Sequence, residues 1–254
     1  MYCHVDADDI DVVFSFLLRF ATDSDVVSNP YTRAHLVKTM YGFVPTRAVG
    51  ATDRSPLDGK SHGRDHLCSA LMKFFVDIEL TGASDAFYTK YRHRFHAVTI
   101  IDYLWSCPDV EVHVEGVKGL AEGPRSRELV RFFNMVLNDM IDCLNTGLEA
   151  IEQVHQVESY HPPGNVTESP IQAFIRQSEE AQRLDGLERQ SSFVLDYLLL
   201  LMSVLERMSA ALPGVIAHDM LAGRIAVRCA PPLCAMTSVA WLPVTAVSFS
   251  GAHC

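Results

Sequence analysis

Residues 193–212 read FVLDYLLLLMSVLERMSAAL, and their spacing decides the fold. Val194, Leu198, Leu201, Leu205, Met208 and Leu212 follow one another at steps of four, three, four, three and four. Such steps bring apolar side chains onto one face of a 3.6-residue helix. Leu199, Leu200 and Met202 fall off that stripe, so the spacing predicts a helix buried on more than one side.

The same period continues outward from this stretch. Helix is expected over 170–212, with Gly186 a candidate interruption, and over 125–158, where Leu129, Phe133, Val136, Met140, Leu144, Leu148, Ile151 and Val154 form one stripe and Gly147 is a candidate bend. His161-Pro162-Pro163-Gly164 forces a turn between them. A helix over 85–106, with Ser84 as cap and Cys107-Pro108 as stop, carries Phe87, Tyr91, Phe95, Val98 and Trp105. One over 66–80 carries Leu67, Leu71, Phe74, Phe75 and Ile78 and ends at Thr81-Gly82. Asn29-Pro30 is a helix start, since the asparagine side chain can accept an orphan backbone N–H and proline suits the first helical position. Leu36, Val37, Met40 and Tyr41 then face inward until Gly42. The first helix covers 8–21, capped by Asp6 or Asp8, and buries Ile10, Val13, Phe14, Leu17 and Phe20.

Glycines and prolines make 42–65 a long surface loop, and an acidic, glycine-bearing stretch ahead of 125 is read as a second loop. No segment alternates as a half-buried strand must, so the fold is expected to be all-α, with helical hairpins stacked as a bundle or an α-solenoid. Two regions result: a helical core over 1–222 and a divergent tail over 223–254. No charged residue follows Arg228, while Pro231, Pro232 and Pro243 interrupt the tail's apolar run. The expectation is a disordered or mistranslated tail rather than a membrane span.

Of the 254 residues 48% are hydrophobic, enough for a sizeable core, and the net charge of −10 with scattered basic residues disfavours nucleic acid and anionic membranes. A protein partner is expected. The N-terminus shows no secretory pattern, and seven dispersed cysteines lack the spacing of a disulfide scaffold. Reduced thiols in the cytoplasm or nucleus are expected.

The candidate chemical motifs fall away one by one. His62 and His66 have the spacing of a zinc-binding helix, but Gly63 stands where His-Glu-x-x-His needs glutamate. His93 and His96 are flanked by Arg92 and Arg94, whose charge opposes a metal cation. Gly59-Lys60-Ser61 resembles the end of a phosphate loop, yet Arg54 occupies its first glycine position. Cys229 and Cys234 have no second pair, and Asn165-Val166-Thr167, a glycosylation sequon, is read as a polar turn. Phe74, Phe75, Phe87, Tyr88, Tyr91 and Phe95 are read as core. No catalytic, cofactor-binding or metal-binding residue is assigned, and no cofactor is expected.

Two strings carry a family resemblance: Asn29-Pro30-Tyr31-Thr32-Arg33-Ala34-His35-Leu36-Val37, and Ala70-Leu71-Met72-Lys73-Phe74-Phe75-Val76-Asp77-Ile78-Glu79 continued by Thr81-Gly82-Ala83-Ser84 and Phe87-Tyr88-Thr89-Lys90-Tyr91. Weaker echoes lie in 131–139 and 187–190. Over roughly 8–212 the chain resembles the core of the ubiquitin conjugation factor E4 family. The resemblance implies an armadillo-like stack, a role in chain elongation and proteasomal targeting, and association with ubiquitylated substrates and a AAA ATPase segregase. It also implies a U-box that docks the conjugating enzyme, and the residues after Gly223 are too few to form one. The expected reading is therefore a partial scaffold that is inactive by itself. The alternative is a non-catalytic adaptor for the segregase.

Overall fold

A computed structural model of the chain describes residues 7–45, 55, 57, 66–81, 86–107, 110–122, 126–159 and 169–213. Within them the fold is all-α, with seven α-helices: α1 (Ala7–Thr22), α2 (Pro30–Tyr41), α3 (Leu67–Asp77), α4 (Ala86–Leu104), α5 (Val110–Glu122), α6 (Ser126–Ser159) and α7 (Pro170–Ala211). A 3-10 turn, Ile78–Thr81, continues α3. The helices stack in sequence across the molecule. α1 packs on α2 and α3, α2 on α4, α3 on α4, α5 and α6, α5 on α6, and α4 and α6 on α7.

Asn29 performs the role its sequence position predicts. Its side-chain Oδ1 accepts from the backbone N–H of Tyr31 at 2.9 Å and of Thr32 at 3.4 Å, and Pro30 takes the first helical position. Asn29→Ala is expected to lower stability by about 1 kcal/mol. An unchanged denaturation midpoint with an unchanged m-value would contradict the cap. At the other end the Gly42 N–H reaches the Thr39 carbonyl at 3.1 Å.

α7 begins with a capping box: Ser169 Oγ accepts from the Gln172 N–H, and the Ser169 N–H donates to the Gln172 side chain. It then runs 42 residues without interruption at Gly186, as α6 runs 34 through Gly147. Each glycine costs roughly 1 kcal/mol against alanine in a helix interior. Long flanking segments packed against each other absorb that cost. α6 and α7 are antiparallel, since Asp139 meets Tyr197 while Gln156 and Val157 lie beside Glu180 and Arg183.

Four expectations are corrected. The stretch read as a loop ahead of 125 is α5, because Val110, Val114, Val117 and Leu120 repeat at four, three and three and bury Val117 and Leu120 against α3 and α6. Ser55 and Leu57 do not lie on a surface loop: Leu57 is 1% exposed, and Ser55 Oγ donates to the Phe43 carbonyl at 2.6 Å. α7 is not buried on several sides, since Leu199 is 64% exposed and Leu195 and Met202 are also open. The inward stripes are shorter than the sequence period suggests, because Val13, Leu148 and Ile151 are exposed. Periodicity marks a face, but only a neighbour makes it an interior.

The expected caps at Asp6, Asp8 and Ser84, the stops at Gly82 and Pro108, the turn at 161–164 and the tail lie outside the described residues, wholly or in their side chains. No described helix is long and apolar enough to cross a membrane.

Candidate functional site

The core holds a buried ionic junction that no motif announced. Arg94 on α4 is fully buried. Its Nε donates to the Phe75 carbonyl at 3.1 Å, Nη1 to Asp139 Oδ1 at 2.7 Å and Nη2 to Glu79 Oε2 at 2.6 Å. The guanidinium also lies 4.7 Å from the Phe75 ring centroid. Asp139 Oδ2 accepts in turn from the Tyr197 hydroxyl at 2.8 Å, while Tyr91 donates to Asp142 at 2.9 Å and Lys90 to Glu79 at 3.2 Å. One arginine thereby ties α3, its 3-10 extension and α6 to α4, and Asp139 carries the network on to α7.

A second junction joins the earlier helices. Arg33, 3% exposed on α2, donates to Asp77 of α3 at 3.3 Å and lies over Phe74. Lys73 bridges Asp77 at 2.6 Å and Ser24 at 3.1 Å. Buried charges of this kind persist only when paired and hydrogen-bonded.

The environment sets the proton affinities. Burial pushes the Asp139 carboxyl from its ordinary 3.8 up to about 6, against the pull of Arg94 and of the Tyr197 hydroxyl. Burial acts upward on Glu79 too, but Arg94 and Lys90 together outweigh it and hold that carboxyl below its ordinary value. Tyr91 and Tyr197 are raised by burial first and then by Asp139, so both hydroxyls remain donors. Burial likewise pushes the Cys68 and Cys143 thiols up to about 12. Trp105 Nε1 donates to the Cys68 sulfur at 3.2 Å, fixing it as a core group.

A pH dependence of stability follows. Folded Asp139 holds its proton more tightly than unfolded Asp139, so its contribution is fully present below 3.8 and is lost as pH rises through about 6. Glu79 contributes oppositely, losing stability as pH falls. The unfolding free energy of the native chain relative to Asp139→Asn should shrink by on the order of 3 kcal/mol as pH rises across the Asp139 window. Chemical denaturation over a pH series measures this, and a difference that grows with pH would contradict it.

A cleft of about 300 Å³ opens beside the junction, lined by Glu79, Lys90, Asn138, Asp139 and Asp142 among others. Its three carboxylates already serve Arg94, Lys90, Tyr91 and Tyr197. The arrangement therefore braces helices rather than presenting an acid or base to a substrate.

The residues weighed from sequence are not brought together into a site. His66 is exposed at the start of α3, and its proposed partner His62 lies outside the described residues. His93 and His96 are half-buried between α2 and α4, with Tyr31 and His35 rings beside the first and Tyr41 beside the second. Among the described residues no three metal-ligating side chains converge. Phe74, Phe75 and Tyr91 are core and Phe95 is partly buried against it, whereas the side chains of Phe87 and Tyr88 lie outside the described set. Residues 59–61, 165–167, 229 and 234 lie outside it as well.

Comparison with known proteins places these helices in context. The family model described as ubiquitin elongating factor core matches residues 2–234. The chain is 28% identical over 156 residues to the probable ubiquitin conjugation factor E4 of Arabidopsis thaliana, covering 61% of the chain and 15% of that protein. It is 27% identical over 188 residues to ubiquitin conjugation factor E4 of Schizosaccharomyces pombe, covering 72% and 18% respectively. It is 28% identical over 143 residues to the E4 ubiquitin-protein ligase UFD2 of Saccharomyces cerevisiae, covering 53% and 14%. The chain thus spans less than a fifth of the length of these relatives.

Proposed function

Because the chain belongs to the ubiquitin elongating factor core family, we propose that these residues form a scaffold segment for ubiquitin-chain elongation. The observation that carries this reading is the family match over 2–234. In this reading the stacked helices hold a ubiquitylated substrate and a AAA ATPase segregase near a conjugating enzyme docked through a U-box, in the cytoplasm and nucleus, and so serve ubiquitin-dependent protein breakdown. The work is geometric. Confining partners on one rigid body raises their effective concentration and restricts their approach to reactive orientations.

The core chemistry supports the same reading. The two buried thiols, held at about 12, are protonated and shielded, which suits them poorly to carrying ubiquitin as a thioester. Arg94, Asp139 and Tyr197 are spent on one another. What such a body offers a reaction is stiffness and surface.

The chain mixed with activating enzyme, conjugating enzyme, ATP and a ubiquitylated substrate is expected to extend no chains. Joined after Leu212 to a family U-box, it is expected to extend them faster than the free U-box at equal concentration. Gel analysis of chain length reads both outcomes. Elongation by the unfused chain, or a fusion no better than the free U-box, would overturn the scaffold reading.

A further inference from the structure

The hexapeptide Tyr91-Arg92-His93-Arg94-Phe95-His96 is only partly consumed by the buried junction, which takes Tyr91 and Arg94. Arg92 is exposed, and His93 and His96 sit half-buried against α2. The exposed His35 and Lys38 of α2 complete the group, with the His35 and His93 rings 6.4 Å apart. Tyr31 lies 6.2 Å from His93 and Tyr41 5.0 Å from His96, giving the ridge an aromatic floor. The groups acting on the two imidazoles are Arg92, Lys38 and a neighbouring histidine, all basic. Burial first, and then those groups, hold both rings below the ordinary histidine range, His96 at about 4. Their Nδ1 atoms have no hydrogen-bond partner. Lys38 and Arg92 thus stand as exposed positive charges on a chain of net charge −10.

We infer that this ridge between α2 and α4 is a docking site for an acidic segment of a protein partner. Carboxylates would meet Lys38 and Arg92 at the surface, and a ring or aliphatic side chain between them would rest on Tyr31 and Tyr41. Charge complementarity also selects the class of occupant. An extended polyanion such as duplex DNA or an anionic bilayer faces the repulsion of the whole chain, whereas a short acidic segment places its charge only beside Lys38 and Arg92. The inference rests on charge and geometry, independently of the ubiquitin reading, and its test measures binding rather than transfer.

The probe is a short fluorescein-labelled peptide of Asp and Glu with one central Phe, titrated with the full chain and followed by fluorescence anisotropy. Saturable binding that weakens as salt rises is expected. Lys38→Glu combined with Arg92→Glu should weaken it at least about tenfold with unchanged helicity, because both side chains are exposed. Lys118→Glu on α5, a charge reversal of half the size away from the ridge, should change it by less than about twofold. The inference is overturned by absence of saturable binding at low salt, or by an equal loss in Lys118→Glu. It is equally overturned if short duplex DNA or phosphatidylserine vesicles bind as tightly and lose affinity in the same double variant, for the occupant would then be of another class.

Discussion

Arg94→Ala is expected to destabilise the chain by about 3–5 kcal/mol, the range for breaking a buried ion pair by removing one partner. The size follows from what is left behind. Asp139 is 1% exposed and would lose its cation, the Phe75 carbonyl would lose a donor, and a cavity would open beside the Phe75 ring. Glu79 is 40% exposed at its side chain and would turn to water at little cost. The buried carboxyl has one escape, which is to take up a proton, and burial already favours that form. The loss should therefore be smaller at a pH below about 6 than above it. Equilibrium denaturation at both pH values measures the difference, and a loss below 1 kcal/mol at either would refute the bracing role.

A companion variant separates the energy of the network from its replaceability. Arg94→Met, Asp139→Leu and Tyr197→Phe together remove both charges and the hydroxyl, so no buried polar group of the triad remains unpaired. Apolar replacement of a complete buried network is often neutral or stabilising. The triple variant should recover most of what Arg94→Ala loses. If it does not, the geometry of the hydrogen bonds, and not the avoidance of an orphan charge, holds the helices in place.

The junction was legible in principle, though not through any motif. Arg94 lies three residues after Tyr91 and four before Val98, so it falls on the buried seam of α4, while Arg92 is two positions away and points outward. Asp139 falls likewise between Val136 and Cys143 on α6. Opposite charges on the seams of two helices were the available signal. The placement of Arg92 and Arg94 around His93 masks that signal. The helix starting at Pro30 was legible because its cap is a local chemical event, complete within Asn29, Pro30, Tyr31 and Thr32. α5 is masked, because Gly116, Gly119 and its acidic residues favour a loop locally, although Val110, Val114, Val117 and Leu120 carry the helical spacing that burial against α3 and α6 makes interior. Which apolar stripes become interior was equally beyond reach, since Leu148 and Ile151 obey the helical spacing of α6 and still face solvent.

Phe132→Ala is expected to cost about 3–5 kcal/mol, while Phe174→Ala should stay within about 0.5 kcal/mol of the native chain. Both phenylalanines stand on long helices, and composition does not distinguish them. Phe132 is fully buried, with Phe75 edge-on at 5.2 Å and Phe133 at 5.6 Å, at the contact between α3 and α6. Removing its ring deletes the transfer energy of a whole aromatic side chain and leaves a cavity that two rigid helices cannot close. Phe75 also bears the Arg94 guanidinium on its face, so loss of Phe132 loosens the platform beneath the ionic junction. Phe174, near the start of α7, is 73% exposed and exchanges little surface on folding. Urea denaturation of both variants with a common m-value makes the comparison. Equal losses would mean that the interior assigned to the α3–α6 contact is wrong, and a Phe132 variant as stable as the native chain would remove the core on which the scaffold's stiffness depends.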